Sequence, residues 1–183
     1  MRMEVHIHGS VFLCQGVQMG QIEDALRPWL DYIAVDSVAN AQSLERDEPG
    51  LRFDPKEQAL DICWTGEVGR SFHNRLKEAF QAIGPLTEYA SEITATYYHD
   101  NGKEDYQQIF VGPTAEAIHE MRRQCVEEDV SSVLSPHLGK DRVGQVTALV
   151  NQLFDETWKN RAATQEPAAA VTSLPPPRNR HLH

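Results

Sequence analysis

Glu4-Val5-His6-Ile7-His8-Gly9-Ser10-Val11-Phe12-Leu13 alternates polar and apolar residues. A period of two is that of a β-strand with one buried face and one face open to other uses. Val5, Ile7, Val11 and Leu13 fall on one side, and His6, His8 and Ser10 on the other. A strand patterned in this way belongs to a sheet that is covered by helices on its apolar face.

The helices that would cover it follow. Ile22, Ala25, Leu26, Trp29, Leu30 and Ile33 form one stripe at helical spacing. Pro28 lies inside the stripe and cannot donate to the carbonyl of Asp24, which predicts a kink or an end near Arg27. Ile33 to Val38 is compatible with a short strand, and the polar stretch after it ends in the turn signal Glu48-Pro49-Gly50. Leu51 to Phe53 and Ala59 to Thr65 flank a turn at Asp54 to Glu57 and predict a hairpin. In its second arm Leu60, Ile62 and Trp64 share one face, and Ala59, Asp61, Cys63 and Thr65 the other. Gly66 to Gly69 reads as a loop and Ser71 as a helix N-cap. Val68, Phe72, Leu76, Ala79, Phe80 and Ile83 mark a second amphipathic helix, stopped by Gly84-Pro85.

Glu92 to His99 and Tyr106 to Val111 flank Asn101-Gly102 and predict a second hairpin. A third helix opens at Pro113-Thr114, carries Ile118, Met121, Cys125, Val126, Val130, Val133 and Leu134, and breaks at Ser135-Pro136. A fourth carries Val143, Val146, Leu149, Val150, Leu153, Phe154 and Trp158. This order predicts an α+β domain over residues 1–160. Its core would be a ferredoxin-like βαββαβ antiparallel sheet with helices on one face, extended by two C-terminal helices. Residues 161–183, rich in Ala and Pro, contain too little apolar bulk to offset the entropy of ordering and read as a flexible, disordered tail.

The chain has 183 residues and a formal net charge of −10. The acidic excess lies in residues 1–160, and a surface of that sign repels nucleic acid and anionic membranes. No apolar run reaches the length of a membrane span, and the first residues carry no signal-peptide pattern. Three cysteines, Cys14, Cys63 and Cys125, have neither disulfide-framework nor zinc-knuckle spacing. The expected setting is the reducing cytoplasm.

Two candidate sites follow. If the first and third strands are neighbours, the polar face carries His6 and His8 beside Asp61 and Cys63, with His99 at a strand end as a further ligand. Imidazole, carboxylate and thiolate together suit a divalent metal such as zinc. The turn containing Gly66, Gly69, Arg70 and Ser71 leads from strand to helix, where backbone N–H groups and Arg70 suit an anion. It is not a Walker A loop, since its glycines are too close and Arg stands where Lys is required. The cysteines read as small core hydrophobes, and His73 and His119 as solvated helix residues. The sequence contains no complete catalytic constellation. It therefore favours a non-enzymatic protein-binding or regulatory module with an acidic surface, its partner another protein or a second copy. The alternative is a metal-binding protein or metal-dependent hydrolase that uses His6 and His8.

Overall fold

A computed structural model describes residues 3–163. Five strands and four α-helices follow in the order β1 (Met3–Phe12), α1 (Met19–Tyr32), β2 (Gly50–Asp54), β3 (Ala59–Val68), α2 (Phe72–Ile83), β4 (Ser91–Tyr98), β5 (Glu104–Val111), α3 (Ala115–Leu134) and α4 (Lys140–Ala163). The strands form one open antiparallel sheet in the order β2-β3-β1-β4-β5. Of the expected tail, residues 161–163 lie within α4, and 164–183 lie outside the described residues.

β1 is central, with β3 on one edge and β4 on the other. Its odd-numbered residues Val5, Ile7 and Val11 are fully buried, as are Leu60 of β3 and Ile93 and Ala95 of β4. α1 and α2 cover this face. Trp29 of α1 sits at the middle of an aromatic cluster, edge-on to Trp64, Phe72 and Phe80 at ring separations of 5.6, 6.3 and 6.0 Å. Edge-to-face packing sets the positive rim of one ring against the negative face of the next.

Three expectations change. α1 runs through Pro28 without ending. The carbonyl that Pro28 leaves unbonded belongs to Asp24, an exposed residue, so water can serve it. Trp29 and Leu30, fully buried beyond the proline, hold the last turn in place. A proline inside a helix costs about 3 kcal/mol, and burying two large apolar side chains offsets a cost of that order. Residues 33–38 form no strand. The chain turns and makes a short 3₁₀ helix at Val38–Asn40. Residues 66–68 are not a loop but the end of β3, paired with β1 as far as Val68 opposite Met3. Gly66 is required there because a Cβ would lie 2.3 Å from the Trp64 ring.

α1 and α2 lie on one face, as expected of the core, and α3, the first of the two added C-terminal helices, lies on the other. Glu92 and Phe110 are cross-strand partners on the side of the sheet opposite Ile93 and Ile109. The Cys125 thiol of α3 donates to Glu92 at 3.1 Å, and the Arg122 guanidinium lies 5.3 Å from the centre of the buried Phe110 ring. α3 therefore caps the far face at its β4–β5 corner, and α4 packs back on α3. The rest of that face is left to its polar residues. Their rows are Thr65-His6-Thr96-Tyr106 and Cys63-His8-Thr94-Gln108, with Asp61 opposite Ser10.

The segment between α1 and β2 is fastened to the sheet at a close crossing. The Leu51 N–H donates to the Ala41 carbonyl at 3.3 Å, and the Trp64 indole N–H to the Gln42 carbonyl at 3.0 Å. Gly50 makes the crossing possible: its φ is +74°, and a Cβ there would meet the Ala41 oxygen at 2.3 Å. Gly50→Ala is expected to lower stability in chemical denaturation by about 2 kcal/mol. Gly102→Ala has a similar φ of +75° but open space around it, so its loss should be about 1 kcal/mol, the backbone share alone.

Candidate functional site

The polar sheet face and the 41–49 segment meet at His6. His6 Nδ1 lies 2.9 Å from the Thr65 hydroxyl oxygen and 3.1 Å from Glu48 Oε1. The Thr65 hydroxyl donates to the same Glu48 oxygen at 3.2 Å, and the Ser43 hydroxyl donates to the other carboxylate oxygen. Backbone bonds hold the segment in register: the Thr65 N–H donates to Ser43 Oγ at 2.8 Å and the Leu44 N–H to the Thr65 carbonyl at 2.8 Å. The segment thus lines the edge of β3 beyond the start of β2, and it carries Glu48 over the sheet face.

A ligand atom each from His6, Glu48 and Cys63 lie within 4.8 Å of one another, and all three residues are half-buried. Burial pushes the Cys63 thiol above its ordinary range, and the nearby Glu48 and Asp47 carboxylates push it further. The two carboxylates disfavour a further negative charge beside Glu48, and a cation seated between them would offset that repulsion.

The structure distributes the sequence-derived ligand set as follows. His6 and Cys63 converge. His8 is directly opposite Cys63 in the β1–β3 register, its ring 5.7 Å from that of His6. Asp61 is engaged elsewhere, accepting from Ser10 Oγ at 2.8 Å and from Arg52 at 3.0 Å. His99 lies at the end of the sheet, with Nε2 2.7 Å from the Asp105 carboxylate. Glu48 was not anticipated, because it sits in an aperiodic polar stretch and reads as part of a turn.

The anion-site residues also separate. Gly66 is inside β3, and the Gly69 N–H donates to the Tyr32 hydroxyl at 2.7 Å. Ser71 is the N-cap of α2, without a side-chain capping bond. Arg70 is left exposed at the rim of a recess. His73 and His119 are half-buried rather than solvated; the His119 ring stacks on Trp158 at 4.6 Å.

All three cysteines are free. Cys125 has the most perturbed thiol: burial, the hydrogen bond to Glu92 and the Glu92 charge push it up to about 12. Only the thiolate is nucleophilic, so alkylation of Cys125 at pH 8 should be roughly a thousandfold slower than that of a free cysteine. The rate should rise with pH into the alkaline range, and Glu92→Gln should increase it. Residue-resolved mass spectrometry of a timed alkylation measures both.

No match to this chain is found among curated proteins or among solved structures. A family model covers residues 3–155, which span β1 to within α4 and include every residue of the His6–Glu48–Cys63 cluster; the chain belongs to DUF6806, a family of unknown function.

Proposed function

We propose that this protein binds a divalent transition metal of the zinc class through His6, Glu48 and Cys63. The observation that carries this reading is the convergence of one imidazole, one carboxylate and one thiol from three distant stretches of chain. Zinc takes these three donor types at about 2.0–2.3 Å, which sets ligand atoms roughly 3.5 Å apart in a tetrahedron. The His6–Glu48 separation of 3.1 Å is close to that spacing. Three protein ligands leave a fourth position for water, so hydrolysis of an activated ester is the activity to assay first. Thr65 and Ser43, both bonded to Glu48, would orient its carboxylate from outside the ligand set. The reading fits a reducing cytoplasm, in which Cys63 stays a thiol. It also fits a ferredoxin-like split βαβ sandwich, supported by the order β2-β3-β1-β4, with β5 as an added edge strand.

Protein purified without chelator is expected to carry near-stoichiometric zinc, and its cobalt form to show thiolate-to-metal absorption. Glu48→Gln and Cys63→Ser should each weaken binding by about tenfold or more, whereas His8→Ala should leave it nearly unchanged. A metal-free protein with no cobalt spectrum would remove the proposal.

A second reading, a protein-binding module that associates with its own copy, rests on the α3–α4 hairpin. Val133, Leu149 and Leu153 are 68%, 55% and 52% exposed there. Leu149 and Leu153, one turn apart on α4, offer an exposed apolar strip that suits another helix pair. Sedimentation should show a concentration-dependent dimer that Leu149→Asp with Leu153→Asp converts to monomer. A wild-type monomer at all concentrations counts against this reading and leaves the metal site unaffected.

A further inference from the structure

The stretch between the 3₁₀ helix and β2 is fixed at both ends and lightly held between them. Ala41 and Gly50 are buried. The first end is tied by the Leu51 N–H, which donates to the Ala41 carbonyl at 3.3 Å, and by the Trp64 indole, which donates to the Gln42 carbonyl at 3.0 Å. Residues 43–49 are all exposed or half-buried. Leu44, the large apolar side chain among them, is 57% exposed, so burial of apolar surface does little to hold the stretch down. A turn folds it on itself, the Glu48 N–H donating to the Glu45 carbonyl at 3.3 Å.

Polar ties hold it instead, and they converge on Thr65. The Leu44 N–H donates to the Thr65 carbonyl and the Thr65 N–H to Ser43 Oγ, both at 2.8 Å. The Thr65 hydroxyl donates to Glu48 at 3.2 Å. β2 pairs with β3 only from Ala59 to Cys63. Thr65 is therefore where the outer edge of β3 would otherwise present bare backbone groups, and such groups are what an edge strand offers to an incoming chain. Hydrogen bonds at a half-solvated position each add little, because water competes for both partners. A stretch held by these alone opens more readily than the sheet beneath it.

Of the three residues that converge at His6, Glu48 alone belongs to this stretch; His6 is in β1 and Cys63 in β3. We propose that residues 43–49 are a strap that the metal closes: an ion held by His6, Glu48 and Cys63 pins the strap over the edge of β3 at Thr65, and loss of the ion lets the strap swing away and bares that edge. This closure rests on the proposed metal site, to which it adds regulation. A ligand that binds the closed arrangement more tightly than the open one shifts the balance toward closure by that difference in affinity. Coordination supplies the difference, because an open strap withdraws one of the three ligands. The strap carries Glu45, Asp47 and Glu48 against Arg46 alone, so a cation also relieves repulsion among its own carboxylates.

The test compares the full chain in saturating zinc and in chelator, at one pH, by amide hydrogen exchange and by limited trypsin digestion. Equilibrium dialysis measures zinc binding alongside. Zinc is expected to slow exchange of the Leu44 and Thr65 amides by about tenfold or more, and to leave the amides of the β4–β5 turn unchanged. Cleavage after Arg46, exposed in the strap, should slow by a similar factor, whereas cleavage after Lys103, exposed in the β4–β5 turn, should not. Glu48→Gln, which keeps the shape of the side chain and removes its charge, should lose the zinc protection at Leu44 and at Arg46. Bound zinc with unchanged exchange at Leu44 and Thr65 and unchanged cleavage at Arg46 overturns the strap and leaves the metal site standing. Protection that reaches the β4–β5 turn to the same degree also overturns it. Absence of bound zinc overturns both the strap and the metal site.

Discussion

Strand β1 is hydrogen-bonded along both edges, to β3 and to β4, and both pairings are antiparallel. With its backbone satisfied on each side, the strand can influence its surroundings only through the direction of its side chains. The alternation of Val5, His6, Ile7 and His8 therefore divides the whole molecule. A one-residue slip against either neighbour would put two imidazoles among Trp29, Phe72 and Phe80 and expose Val5 and Ile7. Placement of the helices follows from this register. α1 and α2 lie where the side chains are apolar, and α3 reaches the other face only at its corner, where Phe110 gives it something to cover.

The same division explains the chemistry of the polar face. His6 and Cys63 are there because they are out of phase with the core residues of their strands. Alone they would form a solvated surface. The short segment after α1 alters this by crossing the start of β2 at Gly50 and placing Glu48, Ser43 and the Thr65 backbone in one hydrogen-bonded group. The location of the carboxylate thus depends on a glycine that has no polar atom in the cluster.

Features encoded by periodicity were legible in the sequence: the alternation of β1, the stripes of α1 and α2, the Asn101-Gly102 hairpin and the break at Pro136. Features set by contact between distant segments were not. Gly66 reads as a loop residue because glycine weakens isolated strands, but here the Trp64 ring occupies the space of a side chain. Pro28 reads as a helix end because local hydrogen bonding is what a sequence displays; the burial of Trp29 is a tertiary effect. The polar face was half legible. Register brings His6 and Cys63 together, and the alternation of β1 and β3 already implied that. Glu48 comes from a stretch with no period at all, so its side chain could be placed only once the crossing at Gly50 was known.

The α3–α4 hairpin stands apart from this economy. Its helices are 20 and 24 residues long, yet Ile118, Arg122 and Thr147 are its only buried residues among those described. Arg123 and Glu127 bond to Asn151 across the pair, and these are partly solvated links. The sandwich, by contrast, encloses a continuous core. Two parts of one chain with such different burial do not share one unfolding free energy. With so little buried surface, opening of the hairpin with the sheet intact should cost less than unfolding of the whole domain. The hairpin's amide hydrogens should exchange through local opening, and those of β1 only when the whole domain unfolds.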